Sequence, residues 1–146
     1  MRSIRSMIGL PVLMEGKPIG HLVDVELDEE LKRMTGLYLD GGLSGTRRVA
    51  KEQVKLLGQV SVMVADKGQR ARPKEARLRR ALTTDGSRVG AVTGALINER
   101  TQGVEALELT RGYLDDLMRG RQWIFRYAVN RTSGDVLIMP EGGEIE

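Results

Sequence analysis

The chain has 146 residues, 40% hydrophobic and 29% charged, a composition that fits a folded domain and excludes a disordered segment. It has no cysteine, which excludes disulfides, thiolate metal sites and cysteine nucleophiles. The net charge of +3 is unevenly spread: Lys67 to Arg80 holds seven basic residues against one acid, and the rest holds 16 against 19.

The N-terminal stretch Met1 to Lys17 carries two arginines, but Gly9 and Pro11 break its apolar run, so no signal peptide is expected. Nowhere do about eighteen apolar residues follow one another, so no transmembrane segment is expected and the expected compartment is the cytoplasm. Glu15-Gly16-Lys17-Pro18 has tight-turn chemistry. Leu22 to Leu27 alternates, which predicts a half-buried strand with Val23, Val25 and Leu27 inward and Asp24 and Glu26 outward. Gly36 to Asp40 alternates again. Lys51 to Leu57, stopped by Gly58, reads as a short helix, and Ser61 to Ala65 as a strand. Beyond the basic stretch, Thr84-Asp85-Gly86-Ser87 is a second turn and Ala106 to Leu109 another strand. Thr110 caps a helix predicted over Arg111 to Arg119, before Gly120. Strands are predicted over Trp123–Val129 and Asp135–Met139, joined by Arg131-Thr132-Ser133-Gly134. Many short strands between frequent turns predict small barrels.

The chain also resembles itself. Shifted by seventy residues, Gly16 falls on Gly86, Ile19 on Val89, Gly20 on Gly90, Leu22 on Val92, Leu27 on Ile97, Met34 on Val104, Leu37 on Leu107 and Leu39 on Leu109. Upstream, Ile8 meets Leu78 and Val12 meets Leu82. Past this block the first copy reads as carrying about ten extra residues around Asp40 to Arg48, after which Val54 meets Leu114 and Leu57 meets Leu117. The organisation expected is a first domain over residues 1–66, a basic linker over 67–77 and a second domain over 78–146.

Gly9-Leu10-Pro11-Val12, then Gly16 to Val25, then Gly36-Leu37-Tyr38-Leu39, resemble the PRC-barrel pattern across nearly the whole first copy. The second copy repeats it more faintly in Asp85 to Gly90. This resemblance implies a nearly all-β chain with short helices: two tandem PRC-type barrels of about six strands each, related by internal duplication. It also implies a docking role, as in the cytoplasmic part of the photosynthetic reaction-centre H subunit and the C-terminal domain of a ribosome maturation factor. It transfers no catalytic residue.

His21 is the single histidine and has no ligand partner at metal spacing. Asp24, Glu26 and Asp28 share a strand face, and their counterparts Gly94, Leu96 and Asn98 are not acidic, so a solvated face is expected rather than a cation site. Gly41 to Arg48 offers backbone amides beside Arg47 and Arg48 but lacks the ending of a phosphate loop; a partner-contacting hairpin is expected. Asp115 and Asp116 are adjacent and point apart on a helix. No serine–histidine–aspartate set is plausible, and no enzyme activity, cofactor or metal is expected; serine–lysine chemistry stays formally open.

The leading expectation is a protein-interaction or structural adaptor, engaging a protein partner or a second copy. Its candidate partner-binding residues are Leu96, Gly94, Arg47 and Arg48. Leu96 with Gly94 replaces two outward acids, which points to a covered face. On that reading Leu96→Glu should destabilise an assembly and Glu26→Leu should not. The alternative is an RNA- or ribosome-associated factor that binds through Arg70, Arg72, Lys74, Arg77, Arg79 and Arg80. Trp123, Phe125 and Tyr127, on one strand face, would add a base-stacking platform, unless they fill the second core.

Overall fold

The computed structural model describes residues 1–74, 79–111, 120 and 122–140. The described chain is nearly all β and forms two sheets, one of them curled into a half-barrel, consistent with a two-barrel-like fold. The first contains β2 (Pro11–Met14), β3 (Lys17–Leu27), β4 (Met34–Asp40), β5 (Thr46–Ala50), β6 (Val54–Leu57), β7 (Val62–Val64) and β8 (Gln69–Arg70). Its order is β6-β7-β2-β3-β4-β5-β8. The second contains β9 (Arg79–Leu82), β10 (Arg88–Ile97), β11 (Val104–Thr110), β12 (Gln122–Ile124), β13 (Tyr127–Val129) and β14 (Val136–Ile138). Its order is β12-β11-β10-β9-β14-β13, with β1 (Arg2–Ser3) added on β10. A single helical turn, α1 (Ile4–Met7), follows β1, and the Ser3 hydroxyl caps it by accepting the Ser6 N–H.

The duplication is written in the strand register. On β3 and β4, His21 faces Asp40, Leu22 faces Leu39, Asp24 faces Tyr38, Val25 faces Leu37, Glu26 faces Gly36 and Leu27 faces Met34. On β10 and β11 the same six pairs recur seventy residues on, from Ala91 with Thr110 to Ile97 with Val104, with both bulges in the same places. Upstream the offset falls to 69, because Val12 faces Gly20 as Ala81 faces Gly90. The turn Glu15-Gly16, with both residues at positive φ, is a two-residue hairpin; its counterpart spans residues 83–87. So Val12 corresponds to Ala81 rather than Leu82.

The second half of the repeat departs from the sequence reading. Val54 faces Val64 as Tyr127 faces Ile138, and β7 lies parallel on β2 as β14 lies on β9. Val54 therefore corresponds to Tyr127, not Leu114, and Leu57 to Val129, not Leu117. The longer connection belongs to the second copy: residues 111–121 join β11 to β12, whereas residues 41–45 join β4 to β5. The helix predicted over Arg111–Arg119 falls on residues 112–119, outside the described residues. The one predicted over Lys51–Leu57 is a 3-10 turn, Lys51–Gln53, followed by strand β6. Seven residues are too few for a helix to hold itself, whereas pairing with β7 buries both Val54 and Leu57.

A bulge also moves Val23. It is the extra residue between Leu22 and Asp24, so Leu22 and Val25 face the core and Val23 is 37% exposed instead of inward. The first core gathers Met7, Val12, Leu22, Val25, Leu37, Leu39, Val49 and Val62. The second is smaller, built on Ala95, Leu107, Tyr127 and Val136. Ile4 and Leu27 pack against both.

The two sheets meet on a pseudo-twofold axis. Arg33 bridges Gly103, its own equivalent, while Met34 N–H donates to the Gln102 carbonyl at 2.9 Å and Val104 N–H to the Lys32 carbonyl at 2.8 Å. Tyr127 reinforces this joint by donating its hydroxyl to the Leu31 carbonyl, with the Lys32 ammonium over its ring.

Gly20 and Gly90 are equivalent close approaches. A Cβ would lie 2.2 Å from the Asp40 carbonyl oxygen at the first and 2.3 Å from that of Thr110 at the second. Neither backbone oxygen can yield without breaking the hairpin ladder. Gly20→Ala and Gly90→Ala are each expected to cost about 2–3 kcal/mol in urea unfolding, and an unchanged midpoint would contradict this packing.

Candidate functional site

A cleft of about 1060 Å³ opens between the sheets. One wall is β3 from Val23 to Leu27 and the other is β10 from Val92 to Ala95. These are equivalent stretches brought face to face by the pseudo-twofold. Ile4, Arg5 and Ile8 line it from the N-terminal segment, and Lys74, Arg79, Arg80 and Asp135 from the second sheet and its approach. The floor is apolar and the rim charged, the make-up of a binding cleft.

Most of that charge is already paired. The Glu26 carboxylate accepts from Arg48 Nη2 at 2.6 Å, from Arg48 Nε at 3.1 Å, from the Thr35 hydroxyl at 2.6 Å and from the Tyr38 hydroxyl at 2.9 Å. The Arg48 guanidinium, more than any other group, holds the Glu26 carboxyl down to about 2. Arg80 makes a bidentate pair with Asp135, at 3.0 and 2.8 Å. That pairing lowers the Asp135 carboxyl below its ordinary range. Arg5 donates to Glu108 at 2.8 Å, and Thr93 donates to the same oxygen at 3.1 Å. Asp24 differs. Its carboxylate accepts the Val25 N–H at 2.8 Å, and burial, the largest influence, pushes its pKa up.

The residues singled out from sequence fall at separate places. Leu96 is half-buried on β10, its backbone paired with Ser3. Gly94 lines the cleft, and a Cβ there would come 3.1 Å from Glu108 Oε1, so the missing side chain makes room for that carboxylate. Arg48 is held by Glu26, and Arg47 donates to the Lys67 carbonyl at 3.0 Å and the Gly68 carbonyl at 2.6 Å. Glu26 is the hub of three side chains rather than the solvated charge expected from the sequence, so Glu26→Leu is expected to disturb the fold itself whatever it does to an assembly. Asp28 accepts the Lys32 and Arg33 N–H groups and shapes the β3–β4 turn. His21 is exposed on β3. Residues 41–45 form a strand-to-strand loop with a 3-10 turn, Gly42–Ser44, and Leu43 fully exposed at its tip. Among the described residues no three histidine, cysteine or acidic side chains are grouped to hold a metal.

The basic stretch is divided between the sheets. Gln69 and Arg70 pair with Arg48 and Arg47 on β5, so it begins as an edge strand. Arg70 Nε donates to the Ser44 carbonyl at 3.2 Å. Arg72 and Lys74 are both exposed, and Lys74 lies at the cleft. Arg77 lies outside the described residues, as do Tyr113, Asp115, Asp116 and Arg121. Arg79 donates to the Glu29 and Gly134 carbonyls, and Arg80 is taken by Asp135.

The aromatic platform is not formed. Trp123 sits on β12 and Tyr127 on β13, at opposite ends of the second sheet's order, because the chain leaves the ladder at Phe125–Arg126. Phe125 is 53% exposed between the strands, and Tyr127 is buried against the joint, where burial raises its pKa to about 12. The single strand predicted over Trp123–Val129 is thus two, with the sheet corner between them.

Neither protein-family models nor curated proteins match this chain. No helix among the described residues is long and apolar enough to cross a membrane.

The sequence reading missed the N-terminal strap. Arg2 and Ser3 pair with a strand more than ninety positions away, and Arg5 reaches Glu108. Nothing local in Arg2-Ser3-Ile4-Arg5 encodes a partner that distant. The substitution of Gly94 for Asp24 was a usable signal, since it marks where the two edges are treated differently.

Proposed function

We propose that this chain is a cytoplasmic, non-enzymatic adaptor built from two PRC-barrel-like units, and that the cleft between them receives a protein partner. The observation that carries this reading is that most of the charged side chains around the cleft, Glu26, Arg80 and Asp135 among them, are engaged in structural pairs, while apolar side chains of β3 and β10 line it. Side chains so engaged hold a shape; they are not poised for proton or group transfer. The resemblance in Gly9 to Val25 and Gly36 to Leu39 supports the same reading.

The competing reading is an RNA-associated factor. Its charges are depleted, because Arg79 and Arg80 already serve carbonyls and Asp135. Retention of protein partners from native lysate, unchanged by nuclease, is the expected result. Any nucleic-acid binding should show a log–log salt slope shallower than about −3, as two or three remaining cations allow. Nuclease-sensitive partners together with a slope near about −4 would overturn the adaptor reading in favour of RNA.

A further inference from the structure

Two strand edges that the repeat makes equivalent have different neighbours. On β10, Leu96 and Ile97 pair with Ser3 and Arg2 of β1. On β3, the equivalent Glu26 and Leu27 have β4 on one side. On the other side β2 pairs only as far as His21, and Leu22 is bonded by Leu10 and Gly9. From Val23 to Leu27 that second edge runs along the cleft wall, and among the described residues no strand pairs with it. The Val25 N–H is covered instead by the carboxylate of its own neighbour, Asp24. An exposed edge shielded by an inward charge is a recurrent way to keep a strand from unwanted pairing. The second copy has glycine at that position, and there β1 is added.

Charge sorts the ligand. Among the acids lining the cleft, Glu26 pairs with Arg48 and Asp135 with Arg80, while Asp24 has no ion-pair partner among the described residues. β1 and α1 display the matching chemistry on the equivalent edge: two extended residues, Ile4 against both cores, and Arg5 on a carboxylate.

We infer that the Val23–Leu27 edge of β3 is a strand-docking site for an extended segment of a partner protein, one with spaced apolar side chains and a lysine or arginine beside Asp24. The site rests on the adaptor reading and gives it a location. Backbone pairing supplies affinity, and the Asp24 contact and apolar floor supply selectivity.

The free peptide Met1–Gly9 is a suitable probe. In the intact chain the β10 edge is held by tethered β1 at an effective concentration in the millimolar range, so a peptide added in trans reports on β3. Calorimetric binding with amide NMR shifts centred on Val23–Leu27 is the expected result. Asp24→Arg should weaken it at least about tenfold, since like charges then meet. A peptide carrying Arg2→Glu and Arg5→Glu should lose it, which keeps the test decisive even if Asp24→Arg folds poorly. Shifts centred on Leu96–Ile97, equal affinity for the charge-reversed peptide, or no binding at about 1 mM would overturn the site. If the lysate experiment still retains nuclease-resistant partners, that failure removes this edge alone and leaves the adaptor reading standing.

Discussion

Deleting Met1 to Ile8 is expected to destabilise the protein by more than about 5 kcal/mol, enough to unfold a domain of ordinary stability. The segment is short, yet each of its parts is embedded in something else. Met7 is fully buried in the first core, and Met7→Ala alone should cost about 2–4 kcal/mol. Ile4 packs on both cores, the β1 backbone completes β10, and Arg5 neutralises Glu108, a carboxylate only 8% exposed. Removing the strap also uncovers the β10 edge, so the truncated chain should aggregate as well as unfold. Urea unfolding followed by circular dichroism measures the loss. A truncated chain that keeps a midpoint close to the parent would show that the strap is decoration.

Glu26→Leu is expected to cost about 3 kcal/mol, more than Leu96→Glu, its mirror change. The carboxylate that Leu would replace is the shared acceptor of Arg48, Tyr38 and Thr35, and the buried Tyr38 and half-buried Arg48 and Thr35 would be left without it. The second copy solves the same positions without charge, placing Leu96 where Glu26 stands and Trp123 where Arg48 stands. Grafting that solution, Glu26→Leu with Arg48→Trp, should recover at least half of the loss, and the double-mutant cycle isolates the pair. Acid makes the same point with a defined sign. The Glu26 carboxyl is depressed from 4.5 to about 2 on folding, so its contribution is fully present above the unfolded value and is lost as pH falls from about 5 to about 2. After allowance for partial exposure this amounts to about 2 kcal/mol, and it should be absent from Glu26→Leu. Parallel pH–stability curves for parent and variant would refute the role given to Glu26.

The hairpins were legible in the sequence because their information is local. Alternation with period two, a glycine turn and a tight strand-to-strand approach recur at Gly20 and Gly90 whatever surrounds them. Lys51–Leu57 was not legible, since Val54 and Leu57, three apart in a run of seven residues, suit a helical turn as well as a bulged edge strand. Only the presence of β7 decides between them. Val23 shows the same limit at smaller scale: one bulge residue reverses which side chain is inward, and alternation alone does not register it. The site was half visible. Asp24 against Gly94 and Glu26 against Leu96 marked an asymmetric face, but the reason for it, a strand arriving from the N-terminus on one copy alone, is a long-range pairing. The even spacing from Trp123 to Tyr127 reads as one strand, whereas the corner at Phe125–Arg126 sends the two residues to opposite ends of the sheet order.

The Arg33–Gly103 bridge, with its reciprocal bonds through Gln102 and Lys32, is the kind of contact that two identical subunits make across a twofold axis. One polypeptide here holds what two copies of a half-length ancestor would have formed by association. Joining them removes the dependence on concentration. It also lifts a constraint on sequence. While the halves are separate molecules, any change in one appears in both, so a surface that suits a strand on one side must suit it on the other. Once they are fused, one edge can keep an aspartate and the other lose it, and one face can keep the Glu26–Arg48 pair while its twin puts leucine and tryptophan at those two positions. The molecule retains the geometry of a symmetric dimer and carries two different surfaces on it.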